Sequence, residues 1–274
     1  MLKNIISKFA AAGLTPLITF GFFFSLFSTP SFAAECSISS PNRRASLIEL
    51  YTSEGCSSCP PADKWLSSLE SRGIRSELFV PLAFHVDYWN YIGWVDRFAQ
   101  SRFTSRQRSV AARDRLSTIY TPQVVLNGKD YRAWRRQNIP ALVKAISETK
   151  PDASIQLKSS QSADNRIHIN VTAKVPNKQD RNNAQLYIAI YENHLSSSVA
   201  SGENSGRFLS HDYVVRNFSR PYSIETDRAS MSVSHEVHMK SEWKPQDLGI
   251  AVFIQNQRTG KVYQAVSMPL ICNS

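Results

Sequence analysis

The chain has 274 residues, of which 42% are hydrophobic and 20% are charged, a composition typical of globular proteins and unlike that of long disordered chains. Its formal net charge is +10 at pH 7. A basic balance can indicate binding to nucleic acid or to an anionic surface, but the export signal described next argues against nucleic acid as the partner.

Residues 1–33 have the pattern of a signal peptide. Lys3 and Lys8 form a positive region, a mostly apolar run from 17 to 27 follows, and Ser31-Phe32-Ala33 places small residues at −3 and −1 of a cleavage site. The alternative is an uncleaved anchor, but Pro30 ends the apolar run before the roughly 20 residues that a spanning helix needs. We therefore predict a periplasmic or secreted protein with no membrane span after processing.

Four cysteines remain after this processing: Cys36, Cys56, Cys59 and Cys272. Export implies an oxidising compartment. Three pairings are possible, and we predict Cys56–Cys59 and Cys36–Cys272. The second bond would join the two ends of the mature chain, and chain-entropy models credit such a closure with more than about 4 kcal/mol of stability.

In chain order, the first half alternates between predicted strands and helices. The strands cover 46–52, 80–89, 123–126 and 129–131, and the helices cover 62–72, 96–116 and 139–147. Asn127-Gly128 predicts a tight hairpin turn. The resulting β-α-β-α-β-β-α order is the minimal thioredoxin-like arrangement. Five arginines of the helix 96–116 are expected either on a solvated face or in a patch that attracts an acidic partner or a membrane surface, and we favour the solvated face: Arg102, Arg106, Arg108, Arg113 and Arg115.

After Lys150-Pro151-Asp152 the sequence changes from alternating helix and strand patterns to strand patterns alone, which predicts a domain boundary. Residues 34–150 would form the α/β thioredoxin-like domain and residues 151–274 a second domain. Beyond the boundary, seven or so short segments of alternating apolar and polar residues are separated by turn residues. Such spacing is typical of an all-β, sandwich-like domain.

Cys56-Ser57-Ser58-Cys59 lies between a predicted strand and a predicted helix. A helix N-terminus stabilises a thiolate, and the thiolate is the nucleophile of disulfide exchange. In this chemistry Cys56 would attack and Cys59 would resolve the mixed disulfide. Since proline is tolerated only in a first helical turn, Pro60-Pro61 predicts a helix that begins around Cys59 or Pro60.

Further candidate site residues lie along the first half. Thr121-Pro122 precedes a strand at the point where thioredoxin-like folds place a cis proline that faces the cysteines, and the backbone of Thr121 would pair with a bound substrate. Glu54 is either an acceptor for the resolving thiol's proton or a surface turn residue. His85 and Asp87 share one strand face and form a proton-transfer pair, metal ligands or a hydrogen-bonded polar pair.

Two other features have competing interpretations. The segment 202–207, with two glycines and Asn204 and with His211 and Asp212 close behind, is either a loop that covers the cysteine site or a plain turn between strands. Asp63 is interpreted as an acid in the first turn of a helix rather than as a catalyst.

Several long motifs resemble a known family. They cover residues 49–63, 84–89 with 92–94, 120–125 and 202–207. These motifs are similar to the bacterial exported family catalogued as domain of unknown function 1223, and the resemblance spans nearly all of the mature chain. It implies a thioredoxin-like fold without a settled activity.

Three functions therefore compete. The first is a thiol–disulfide oxidoreductase without a cofactor that acts on the thiols or disulfides of exported proteins. The second is a metal-binding or copper-delivery protein that uses Cys56, Cys59 and His85, although copper proteins of this fold usually have one more residue between the cysteines. The third is a non-enzymatic binding module in which Cys56–Cys59 is a structural disulfide that stays oxidised.

Overall fold

Fifteen strands and four α-helices make up residues 35–272, which are the residues that the computed structural model describes. The predicted signal peptide lies outside the described residues. The strands are β1 (Cys36–Ser39), β2 (Ser46–Thr52), β3 (Phe79–His85), β4 (Gln123–Leu126), β5 (Lys129–Asp130), β6 (Ser154–Gln161), β7 (Arg166–Lys174), β8 (Ala184–Glu192), β9 (Leu195–Ser198), β10 (Phe208–His211), β11 (Val214–Phe218), β12 (Tyr222–Ser223), β13 (Ser230–His238), β14 (Leu248–Asn256) and β15 (Val262–Pro269). The helices are α1 (Pro60–Ser67), α2 (Ser101–Arg113), α3 (Ile139–Ser147) and α4 (Lys178–Arg181). Among these residues no helix has the length and apolar character needed to cross a membrane.

The strands form three sheets. The largest has nine strands in the order β15-β14-β8-β11-β3-β2-β4-β5, with β12 also paired to β8. A second sheet has the order β1-β6-β7-β13, and β9 and β10 form a separate hairpin. In the large sheet β2, β3 and β11 run parallel, and the other neighbours are antiparallel.

Alternation of side chains along the strands places apolar residues on both faces of the large sheet. On one face Leu50 packs under α1 and α3, and Ile188 packs against the four-stranded sheet. On the opposite face Phe84 packs under α2 together with Phe253. Because both faces are covered, β2, β3 and β14 are buried along their whole length.

The structure differs from the predicted domain boundary near residue 150. Val214 of β11 pairs in parallel with Ala83 of β3, so strands from the second half continue the sheet of the first half. The described residues 35–272 accordingly group as one compact unit. The second half does contain two facing layers, but one of them is the shared nine-stranded sheet.

The helix bounds also differ from the predictions. As predicted, α1 begins at the cysteine segment, with Cys59 as the N-cap and Pro60 as the first helical residue. α2 is shorter than the predicted helix 96–116. Arg106 on α2 is not solvated: its guanidinium is buried 2.6 Å from a carboxylate oxygen of Glu49 and lies over four aromatic rings, including that of Phe84.

Candidate functional site

The Cys56–Cys59 disulfide lies on the turn between the end of β2 and the start of α1. The backbone N–H of Cys59 donates to the carbonyl of Cys56 at 3.1 Å, and the N–H of Asp63 donates to the carbonyl of Cys59 at 3.1 Å. Both predicted disulfides, this one and Cys36–Cys272, are confirmed. We call residues 53–59 the cysteine turn.

Thr121 and Pro122 lie beside the cysteine turn, because β4 begins directly after them and pairs antiparallel with β2. The Thr121–Pro122 peptide bond is cis, as the sequence predicts. The Thr121 hydroxyl accepts a hydrogen bond from the Trp89 indole N–H at 2.7 Å. A Cβ atom at Gly55 would lie 3.1 Å from the Cβ of Trp89, so a larger residue there would crowd this side of the turn.

Five ionisable side chains lie together beside the cysteine turn, and each residue is at most 6% exposed: Glu54, Asp63, His85, Asp96 and His211. We call them the buried ionisable cluster. His85 Nδ1 is 2.7 Å from Asp96 Oδ2. His211 Nε2 is 3.4 Å from Glu54 Oε1, and its Nδ1 is 3.9 Å from Asp63 Oδ2. The two imidazole rings meet edge to face with centroids 5.0 Å apart, which connects the two groups.

Burial and mutual contacts move the pKa values of the cluster in different directions. Burial raises the pKa of Asp63, and its histidine neighbours offset this only in part. Burial would also raise the pKa of Glu54, but the contact with His211 and an indole hydrogen bond hold it below its usual range. Burial would lower the pKa of His85, but Asp96 outweighs that effect and the pKa is raised. Asp63 is therefore better suited than Glu54 to hold a proton.

The loop 199–207, which joins β9 to β10, covers the cysteine turn. The side chain of Asn204 is fully buried and donates to the backbone carbonyls of Glu54 at 2.8 Å and Cys56 at 3.0 Å. Glu203 accepts a hydrogen bond from the backbone N–H of Ser57 at 3.0 Å. With the loop in place, Cys56 is 1% exposed and the second cysteine 0%.

Asp87 does not pair with His85, contrary to the predicted shared face. β3 ends at His85, four residues before the predicted strand end at 89, and Asp87 instead accepts a hydrogen bond from the Thr104 hydroxyl of α2. The partner of His85 is Asp96, which lies in the segment before α2. The sequence missed Asp96 because it assigned that residue to a helix.

The alternatives for Glu54 and for the segment 202–207 are also decided. Glu54 is 0% exposed and is not a surface turn residue. Asn204 makes the segment 202–207 a cover rather than a plain turn. Asp212 binds the backbone N–H of His194 and takes no part in the cluster. The two glycines around Asn204 were the signal that pointed to this loop.

The metal interpretation receives no support from the described ranges. Within residues 35–272, no group of three or more His, Cys, Asp and Glu side chains is arranged to hold a metal ion. Cys56 and Cys59 are joined to each other in this structure and so do not offer two thiolates to a metal ion.

These features define the class of protein: a mostly β protein with a few helices, whose large mixed sheet presents a covered Cys-x-x-Cys disulfide at a helix N-terminus. Two solved structures share the fold. Protein AGR_C_4864 from Agrobacterium tumefaciens is 23% identical, with a TM-score of 0.60 over 85% of this chain and 98% of that one. HBP35 of Porphyromonas gingivalis is 14% identical, with a TM-score of 0.62 over 84% of this chain and 76% of that one.

The sequence matches the family described as protein of unknown function (DUF1223) over residues 47–255, and the chain belongs to that family. No curated protein matches it.

Proposed function

We propose that this protein is an exported thiol–disulfide oxidoreductase that uses Cys56 and Cys59 on a thioredoxin-like arrangement of strands and helices. The observation that carries the proposal is the buried ionisable cluster beside a Cys-x-x-Cys disulfide at the start of α1. Burying ionisable groups lowers stability, and such groups concentrate at functional sites. A purely structural disulfide needs no such cluster.

The start of α1 supports the nucleophile. In the reduced protein, Cys56 is the cysteine that precedes the helix, whose dipole favours a thiolate. Pro60 and Pro61, at the first two helical positions, supply no backbone N–H groups, so the dipole is the contribution that the helix makes. Its thiolate would attack the substrate disulfide and form a mixed disulfide. Cys59 would then attack Cys56 Sγ and release the substrate as a thiol, so that the substrate is reduced and the protein oxidised.

The resolving step requires Cys59 to lose a proton, and Asp63 is the best-placed acceptor. Asp63 lies one helical turn after Cys59, and residues spaced by four share a helix face. Burial raises its pKa above that of an ordinary carboxyl, which makes its carboxylate a better proton acceptor. Glu54 is the acceptor that the sequence suggests, but its lowered pKa makes it a poorer acceptor than Asp63.

The proposal is tested by equilibrating the mature protein in glutathione redox buffers, trapping thiols with a mass tag and locating the tags. We expect Cys56 and Cys59 to be tagged together with a midpoint within roughly −120 to −270 mV, the range of known exchange proteins. Cys36–Cys272 is the control disulfide in the same sample. If Cys56–Cys59 stays oxidised well below about −300 mV, the proposal is wrong.

A second candidate function, a permanent staple in a binding module, is favoured by one observation. Both cysteines are almost completely covered, at 1% and 0% exposure, whereas reactive cysteines are commonly accessible. The same titration separates the candidates. A Cys59→Ser variant adds a second readout, because an exchange protein would then accumulate a mixed disulfide at Cys56 and a stapled protein would not.

A further inference from the structure

The cover over the cysteine turn limits the size of a reaction partner. Cys56 is 1% exposed, and the side chain of Asn204 donates a hydrogen bond to the backbone carbonyl of Cys56. A cysteine in a folded protein brings its own backbone and neighbours, so it cannot reach these sulfur atoms while the loop 199–207 stays closed. A small thiol needs much less room.

A cavity of about 670 Å³ opens next to the cysteine turn, between the start of α1 and β10. Ser57 and Pro60, which flank the cysteines in sequence, form one side of it, and Phe208 forms part of the other. The side chain of Phe208 is 69% exposed and offers an apolar surface at the rim. Cavities of this size typically hold small molecules.

The rim of the cavity carries two cations, Lys64 on α1 and Arg207 just before β10. Two carboxyl groups oppose them. Asp63 lies at the inner end, where the imidazole of His211 faces its carboxyl. Glu203 is engaged by the backbone N–H of Ser57. The exposed cations therefore favour an anionic group on the ligand.

His211 lines the inner end of the cavity and is 2% exposed. Among the described residues, neither of its ring nitrogens has a hydrogen-bond partner of good geometry. A buried polar atom without a partner is uncommon in folded proteins. Both nitrogens nevertheless face carboxyls of the cluster, Nε2 at 3.4 Å from Glu54 Oε1 and Nδ1 at 3.9 Å from Asp63 Oδ2, so we assign His211 no ligand contact.

We propose that this cavity binds a small thiol, or its disulfide, that carries a carboxylate. Neither cysteine lines the closed cavity, so the bound sulfur reaches the Cys56–Cys59 bond when the loop 199–207 opens. The carboxylate lies toward Lys64 and Arg207, and the carbon chain lies along Phe208. The inference rests on the proposed exchange activity and names its substrate class.

The reaction balances with two molecules of the thiol. The thiolate of the first attacks Cys56 Sγ, the protein disulfide breaks, and Cys59 leaves as a thiolate that takes up a proton. A second thiolate attacks the mixed disulfide and releases Cys56, which also takes up a proton. Two thiols are thereby oxidised to one small disulfide, and the protein disulfide gains the two electrons.

The test compares three thiols of similar size and different charge as reductants of the full mature protein: mercaptopropionate, mercaptoethanol and cysteamine. Rates are measured by quenching, mass tagging and peptide mapping. Each rate is divided by the rate of the same thiol with a small neutral disulfide at equal thiolate concentration, because the three thiols differ in pKa and therefore in the nucleophilicity of their thiolates. We expect the anionic thiol to react at least about tenfold faster than the cationic one at low salt. The preference should shrink as salt screens the charges.

Two variants locate the preference. Lys64→Gln and Arg207→Gln should each reduce the ratio of the anionic to the cationic rate, and the double variant should remove most of it. Lys174→Gln is the matched control, because it removes one exposed positive charge from β7 in the other sheet. Arg207 donates a hydrogen bond to Asn204, so Arg207→Gln also removes a contact of the covering loop. Lys64 makes no hydrogen bond to Asn204, so an effect of Lys64→Gln on the ratio is not explained by loosening of that loop.

Each outcome has a distinct meaning. If no thiol reduces Cys56–Cys59, the proposed exchange function fails and the cavity proposal fails with it. If all three thiols react at equal rates, exchange stands and the cavity proposal is wrong. The cavity proposal is also wrong if Lys174→Gln changes the ratio as much as Lys64→Gln does, because net charge would then explain the preference.

Discussion

Replacing Asn204 with alanine should loosen the cover over the cysteine turn. The substitution removes the hydrogen bonds to the carbonyls of Glu54 and Cys56, at 2.8 and 3.0 Å. A typical hydrogen bond contributes about 0.5–1.5 kcal/mol net, so the loss is about 1–3 kcal/mol. If this loss falls on closure of the loop 199–207, the open population rises about 5- to 150-fold, since about 1.4 kcal/mol is a factor of ten.

The rate of disulfide reduction measures that population. When the loop opens and closes faster than the reductant reacts, the observed rate follows the population of the open form. We therefore expect dithiothreitol to reduce Cys56–Cys59 about 5- to 150-fold faster in Asn204→Ala than in the wild type. The assay is acid quenching at timed intervals, followed by mass tagging and peptide mapping under conditions where the protein stays folded.

Asn256→Ala is the matched control. The side chain of Asn256 is also buried and donates two hydrogen bonds, to the carbonyl of Asn182 and the hydroxyl of Tyr263, at 2.9 and 3.0 Å. Its loss should lower the free energy of unfolding without changing the reduction rate. Equal rates in Asn204→Ala and the wild type would refute the reasoning, as would equal acceleration in both variants, which would indicate global unfolding.

Three further predictions concern stability. Replacing both Cys36 and Cys272 with serine removes a disulfide with a sequence separation of 236. Urea unfolding should show that the free energy of unfolding falls by roughly 5 kcal/mol. A fall below about 2 kcal/mol, the value that the same model gives for a very short loop, would contradict this prediction. Arg106→Met leaves Glu49 buried without its partner and should lower the free energy of unfolding by about 3–5 kcal/mol in the same assay. Adding Glu49→Leu should restore much of that loss. An Arg106→Met variant as stable as the wild type would refute this prediction. Asp96 raises the pKa of His85 in the folded protein. The interaction therefore stabilises the fold fully below about pH 6.5, and this contribution is lost as the pH rises through the folded pKa. If the free energies of unfolding of the wild type and His85→Gln differ by a constant amount above pH 6.5, this prediction is wrong.

Local sequence patterns predicted much of the first half because the determinants there are themselves local. Asn127 and Gly128 have φ values of 48° and 82°, which the hairpin between β4 and β5 requires and which these residue types adopt readily. Pro60 likewise sets the start of α1. The pairing of Val214 with Ala83 has no local signal, because alternation predicts a strand but not its neighbour.

The same distinction applies to the site. Cys56, Cys59 and Pro122 were found because they stand next to the strands that position them. Asp96 and His211 reach the cysteine turn from distant parts of the chain, and no spacing connects them to the cysteines. A buried polar residue has the same letter in the sequence as an exposed one, so the cluster became visible only with the tertiary contacts that bury it.

The covering loop and the ionisable cluster are mechanically linked, and this bears on which substrates the site can serve. Asn204 and His211 belong to the same β9–β10 hairpin, so a movement of the whole hairpin that uncovers Cys56 would also draw the imidazole away from Glu54 and Asp63. Both carboxyls would then lose a partner at the moment when a proton has to move. A small thiol needs a smaller opening of the loop 199–207, so it can leave β10 and the cluster in place. A protein cysteine has to displace both, so exchange with proteins should be slower unless the partner itself replaces the contacts of Asn204.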